Sequence, residues 1–136
     1  MKPVKIIHAE TNALIREGLK TLLANEDLAF SIKGTDNKDN LNNLLKSSNI
    51  DLLIFGYGSS IDFNKSLVKE IKLKHPEIKI LIIANDMNKS HVLQLLDYGI
   101  DGYLTNRCDI NEIKNAIRTI INNDKFFCNS VINILL

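Results

Sequence analysis

Residues 50–58 read Ile50-Asp51-Leu52-Leu53-Ile54-Phe55-Gly56-Tyr57-Gly58. Four large apolar side chains, Leu52 to Phe55, follow one another without the polar residues that alternate along a half-buried strand. Such a run, ended by a glycine, is typical of a parallel strand that is covered on both faces in an α/β sheet. In these sheets ligands bind just beyond the carboxyl ends of the strands. Gly56 therefore stands where a functional residue is expected.

Length and composition limit the class of protein. With 136 residues, 45% of them hydrophobic and 24% charged, the chain suits one globular domain with its own core. A formal net charge of +1 gives no electrostatic attraction to nucleic acid or to an anionic membrane. No apolar run is long enough to span a membrane. We expect the protein to be located in the cytoplasm. Cys108 and Cys128 lack metal-ligand spacing and are expected to be free buried thiols.

The rest of the chain alternates predicted strands with predicted helices. Strands are predicted at 4–8, 30–33, 52–55, 78–83 and 101–105. Each is followed by a segment whose apolar residues recur at helical spacing. Asn12 and the pair Asp109 and Glu112 are expected to cap the first and fifth helices, while Pro76 and Gly99 end the third and fourth. The sequence predicts an α/β, doubly wound, five-stranded parallel sheet.

The chain is predicted to hold one domain over residues 1–124 and a tail over residues 125–136. The tail is rich in apolar residues up to Ile134-Leu135-Leu136. It either packs back on the domain or leads into a further domain.

Three short sequence segments resemble segments of a known family. They are Leu14-Ile15-Arg16-Glu17-Gly18-Leu19, His75-Pro76-Glu77-Ile78-Lys79-Ile80-Leu81 and Gly99-Ile100-Asp101-Gly102-Tyr103-Leu104. In this order they resemble the receiver domains of NarL/LuxR-type (FixJ-like) response regulators, the signalling proteins of two-component systems and their phosphorelays. The resemblance implies a flavodoxin-like (βα)5 fold with strand order 2-1-3-4-5. It also implies transfer of a phosphoryl group to an aspartate at the end of the third strand, assisted by Mg²⁺, a hydroxyl group and a lysine.

Carried over position by position, the reactive groups are missing. The phosphorylated aspartate corresponds to Gly56, and the acidic pair that would hold the metal corresponds to Glu10 and Thr11. Ala84 replaces the hydroxyl residue and Asn106 the lysine. Asp51 cannot substitute, since it lies at the other end of the strand. The resemblance therefore implies a degenerate receiver, or pseudo-receiver, that needs no cofactor.

Three remaining polar or aromatic residues near the predicted site have ordinary interpretations. Glu10 alone would bind Mg²⁺ poorly, so a solvated side chain is expected. His8 is expected to be a hydrogen-bonded core histidine. Tyr103 corresponds to the switch aromatic of similar receivers, and we expect it on a fixed surface around the fourth helix, the fifth strand and the fifth helix.

Two functions stay open, and a third has little support. The first is a phosphorylation-independent receiver that acts in transcription regulation through protein–protein contacts, as a homodimer or with an output domain. DNA would then be bound only by a helix-turn-helix domain absent from this chain, and membranes not at all. The alternative is a small-ligand sensor that uses the vacated mouth of the sheet. An enzyme is not expected, because no catalytic residues or metal ligands are grouped in the sequence.

Overall fold

Strands and helices alternate along the whole chain in the computed structural model, which describes residues 3–24, 29–47, 49–57, 63–85 and 88–136. The strands are β1 (Val4–Ala9), β2 (Phe30–Thr35), β3 (Leu52–Tyr57), β4 (Lys79–Ala84), β5 (Gly102–Thr105) and β6 (Phe126–Phe127). The helices are α1 (Ala13–Leu23), α2 (Lys38–Ser47), α3 (Lys65–Lys74), α4 (Lys89–Asp97), α5 (Ile110–Ile121) and α6 (Asn129–Leu135).

The strands form one parallel sheet in the order β2-β1-β3-β4-β5-β6. The doubly wound fold and the predicted order of the first five strands are confirmed. The sheet has one short strand beyond the five predicted ones, because β6 adds two residues at its edge beside β5. Two residues are too few for a periodic pattern to mark a strand.

The apolar runs of β3 and β4 form the centre of the core. All four side chains from Leu52 to Phe55 are fully buried, as are those from Ile80 to Ile82. This burial confirms that both faces of the central strands are covered, as the unbroken apolar runs predict. Contrary to expectation, β3 does not stop at Gly56 but continues through it to Tyr57.

The predicted helix ends are confirmed. The side chain of Asn12 accepts hydrogen bonds from the backbone N–H groups of the first turn of α1, and Asp109 caps α5 through Glu112 N. Helix α3 ends just before His75-Pro76, since proline cannot continue a helix. Gly99 follows α4 with φ of +95°, a conformation that favours glycine.

The apolar tail packs against the sheet. Cys128 and Val131 are buried, and α6 contacts β5 and α4. Strand β6 pairs with β5 beside Tyr103, whose side chain is fully buried. The expectation that Tyr103 belongs to the surface is therefore wrong, while a switch role for this residue and the domain boundary at residue 124 stay predictions.

Among the described residues, no helix combines the length and the apolar character that crossing a bilayer requires.

Candidate functional site

Position 56 lies near the carboxyl end of the central strand, between β1 and β4. Parallel register places Gly56 opposite Ile83, and the carboxylate of Glu10 lies directly over it. A Cβ atom at position 56 would overlap Glu10 Oε1 and would lie 3.0 Å from Glu10 Cδ. Glycine is thus the residue that leaves room for this carboxylate.

Glu10 is held in place by several hydrogen bonds. Its Oε2 accepts from the Asn12 backbone N–H at 2.8 Å and from the Thr11 hydroxyl at 3.4 Å. The backbone carbonyl of Glu10 accepts from Arg16 Nη1 at 2.6 Å, and its N–H donates to Thr35 O at 3.0 Å. Glu10 is partly exposed at the mouth of the sheet, and these hydrogen bonds orient its carboxylate.

The other positions that the resemblance assigns carry neither a second carboxylate nor a lysine. Ala84 is buried at the end of β4 and has only a methyl group. Asn106 is exposed directly after β5, and its side chain is an uncharged amide. Thr11 is exposed and is used in the contact with Glu10. Asp51 lies at the opposite end of β3, where its Oδ2 accepts from the Lys5 backbone N–H.

A cavity of about 1010 Å³ opens at this end of the sheet. It brings together Glu10, Gly56 and Asn106, whereas Thr11 and Ala84 are not among its described lining residues. It continues along α1 to Leu22 and reaches Ile113 on α5. The cavity is therefore larger than the space that a phosphoryl group would need.

His8 lines this cavity and is a core histidine, as expected, but among the described residues the expected hydrogen bond is missing at its Nδ1. Its side chain is only 2% exposed, yet Nδ1 has no hydrogen-bond partner within the described part of the chain. Burial, with a smaller contribution from the Arg16 guanidinium, lowers the pKa of His8 to about 4, so the imidazole is neutral at pH 7. Its position on a buried strand was evident from the sequence, but its missing partner was not.

The two thiols are free, and Cys108 also lines the cavity. Burial raises the pKa of the Cys108 thiol, and the neighbouring Cys128 adds to this effect, while Thr105 opposes it. A thiol with a raised pKa is a poor nucleophile at neutral pH. Nowhere in the described ranges do three or more His, Cys, Asp or Glu side chains come together as a metal ion would require. Among the described residues that line the cavity, Glu10 supplies the carboxylate.

A family model describes the same architecture. The response regulator receiver domain matches residues 6–118, which is most of the chain. This chain belongs to the response regulator receiver domain family. As a receiver domain it is a signalling module of two-component systems.

Relatives of this receiver are larger proteins. It is 23% identical to Fimbriae Z protein of Salmonella typhimurium, over 99% of this chain and 64% of that protein. It is 21% identical to the transcriptional regulatory protein DegU of Brevibacillus brevis, over 86% of this chain and 50% of that protein. The chain thus spans about half to two thirds of the length of these curated relatives.

Solved receiver structures have the same fold. The isolated REC domain of RcsB from Salmonella enterica serovar Typhimurium, with the phosphomimetic BeF3−, superimposes with a TM-score of 0.88 and 20% identity, covering 99% of this chain and 100% of that one. A LuxR-family two-component response regulator from Aurantimonas gives a TM-score of 0.88 and 16% identity, covering 98% and 96%. At this identity the likeness concerns the fold.

Proposed function

We propose that this receiver signals without being phosphorylated and acts through protein–protein contacts. One observation carries the proposal: Glu10 lies over Gly56, so the position of the phosphoryl acceptor has no nucleophile and is already occupied by a negative charge. A phosphoryl group brought to this place would meet a carboxylate and no lysine, because the corresponding side chain is that of Asn106.

The consequence for signalling is thermodynamic. Phosphorylation shifts a receiver between two conformations only if it stabilises one of them more than the other. Here no phosphoryl group supplies that difference, so the sequence or a bound partner sets the equilibrium. The fully buried Tyr103 suits a face that holds a single arrangement.

The expected partner is a second copy of the chain or an output domain. Exposed large apolar side chains support such contacts, and three of them, Leu14, Ile15 and Leu22, lie on α1. Among proteins of the same fold, RcsB is described as two dimers bound to two parallel DNAs. We extend to this receiver only the idea of association, with any DNA contact made by a separate helix-turn-helix domain.

Acetyl phosphate tests the proposal. The chain is incubated with acetyl phosphate and Mg²⁺ beside a receiver that keeps its aspartate, and both are analysed by intact mass spectrometry and sedimentation. We expect a phosphoryl adduct and its effects only in the control receiver. Gly56→Asp should also react poorly, because Thr11, Ala84 and Asn106 leave the charge uncompensated. A stoichiometric, hydroxylamine-labile adduct on the wild-type chain would contradict the proposal.

A small-ligand sensor is a second candidate, and the cavity of about 1010 Å³ supports it. Small-molecule sites are concave, mostly apolar and provided with a few convergent polar groups. The space directly over Gly56 is filled by Glu10, but the larger cavity beside it is open.

A further inference from the structure

The first clue to a ligand is the apolar wall of the cavity. Ile15, Leu19 and Leu22 follow one another along one face of α1, and Ile113 lies opposite on α5. Ile15 is 46% exposed and Leu22 is 48% exposed. These side chains leave apolar surface in contact with water that a ligand of matching shape would cover.

The second clue is the polar end. Glu10 uses Oε2 to accept from Asn12 and Thr11, and its Oε1 points over Gly56. His8 Nδ1 is buried and has no partner among the described residues, which is costly for a polar atom unless something binds to it. Both groups lie at the same end of the cavity, where they could meet the head group of one small molecule.

Charge decides what that head group is. The described lining residues include the carboxylate of Glu10 and the histidines His8 and His91 but no lysine or arginine. The Arg16 guanidinium, which donates to the backbone carbonyl of Glu10, is not among these described lining residues. His8 is neutral and does not offset the negative charge. A phosphate or carboxylate ligand would be repelled here, whereas a protonated amine would be attracted and could donate its N–H groups.

We infer that this cavity binds a small amphiphilic amine, with its apolar body between α1 and α5 and its protonated head near Glu10 and His8. The inference rests on the proposal that Gly56 leaves the mouth of the sheet without a phosphoryl acceptor. It names the chemical class to which a ligand-sensing receiver of this kind would respond.

Three probes of equal chain length test the inference: octylamine, octanol and octanoate, each kept below its aggregation concentration. They are titrated into the ¹⁵N-labelled chain, and the amide signals of Gly18, Gly56 and Ile113 are followed by NMR. We expect saturable shifts with octylamine, an affinity for octanol about tenfold lower, and an affinity for octanoate lower still.

Two variants locate the site without relying on the probes alone. Glu10→Gln should reduce the affinity for octylamine about tenfold and leave that for octanol nearly unchanged. Gly18→Trp should abolish binding of all three probes. No atom lies within 4 Å of a Cβ at position 18, so the indole enters open space. Glu17→Gln, on an exposed part of the same helix, is the matched control and should bind as the wild type does.

Equal affinities for the three probes would show simple partitioning onto apolar surface and would overturn the inference. So would octylamine binding that persists in a folded Gly18→Trp variant, or no saturable binding at all. None of these results depends on acetyl phosphate. Failure of the amine site and failure of the phosphorylation-independent function are therefore distinguishable.

Discussion

An aspartate at position 56 would add a methylene group and a carboxylate to the glycine. Glu10 Oε1 would overlap the added Cβ atom. In Gly56→Asp the two carboxylates repel each other, which raises the pKa of one of them above its value in the unfolded chain. The folded state then binds more protons, so the variant loses stability as the pH rises.

Gly56→Asn is the matched control, because it adds nearly the same volume without charge. We expect Gly56→Asp to be less stable than Gly56→Asn by about 1–3 kcal/mol at pH 7, with the difference disappearing below about pH 4. Urea denaturation across this pH range provides the free energies of unfolding. Equal stability of the two variants at pH 7 would show that Glu10 swings away from position 56.

His8 gives the native chain a pH dependence of its own. The pKa of its imidazole is about 4 in the folded state against an ordinary value of 6.5. The unfolded chain therefore binds more protons between these values, and stability falls as the pH decreases from about 6.5 to about 4. Over this pH range the titration of His8 lowers the free energy of unfolding by roughly 3 kcal/mol. Above pH 6.5 this loss is absent.

His8→Leu removes this titration. We expect the free energy of unfolding of His8→Leu to fall less between pH 7 and pH 4 than that of the wild type, as measured by urea denaturation at several pH values. Parallel pH profiles for the two proteins would contradict burial of a neutral imidazole at this position.

On the scale of single elements, helix α6 has two neighbouring apolar side chains, one buried and one exposed. Val131 is fully buried, whereas Ile132 is 40% exposed. Val131→Ala should destabilise the chain by roughly 1–3 kcal/mol, and Ile132→Ala, the matched control, by less than about 1 kcal/mol. Denaturant unfolding of both variants measures the difference. A similar loss from both would mean that the tail is not docked on β5.

Elements with long, regular patterns were predictable from the sequence, and short ones were not. The unbroken apolar runs of β3 and β4 require cover on both faces, and the structure covers them. Strand β6 has two residues and no periodicity, so nothing local marks it. Helix α1 shows a further limit, because its apolar positions include Leu14 at 81% exposed, and spacing alone does not tell which of them face the core.

For the whole molecule, the family could be predicted from the order of the motifs, and the family model confirms it. The assignment of Gly56, Ala84 and Asn106 to reactive positions stays a prediction. The cavity could not be predicted, because its wall comes from α1 and α5, far apart along the chain. Nor could the contact of Glu10 with position 56, which depends on how one flexible side chain turns. Both are tertiary features without a local pattern.

The Glu10 carboxylate above Gly56 also affects how position 56 can change during evolution. A lineage that gained aspartate at position 56 would first have to move the Glu10 side chain and place two carboxylates together. Under the proposed function it would gain no phosphorylation while Thr11, Ala84 and Asn106 remained. Selection would act on the lost stability alone, since the benefit needs several further substitutions at once. Under the proposed function, descendants of this receiver would diversify in what they bind more readily than they would gain phosphotransfer.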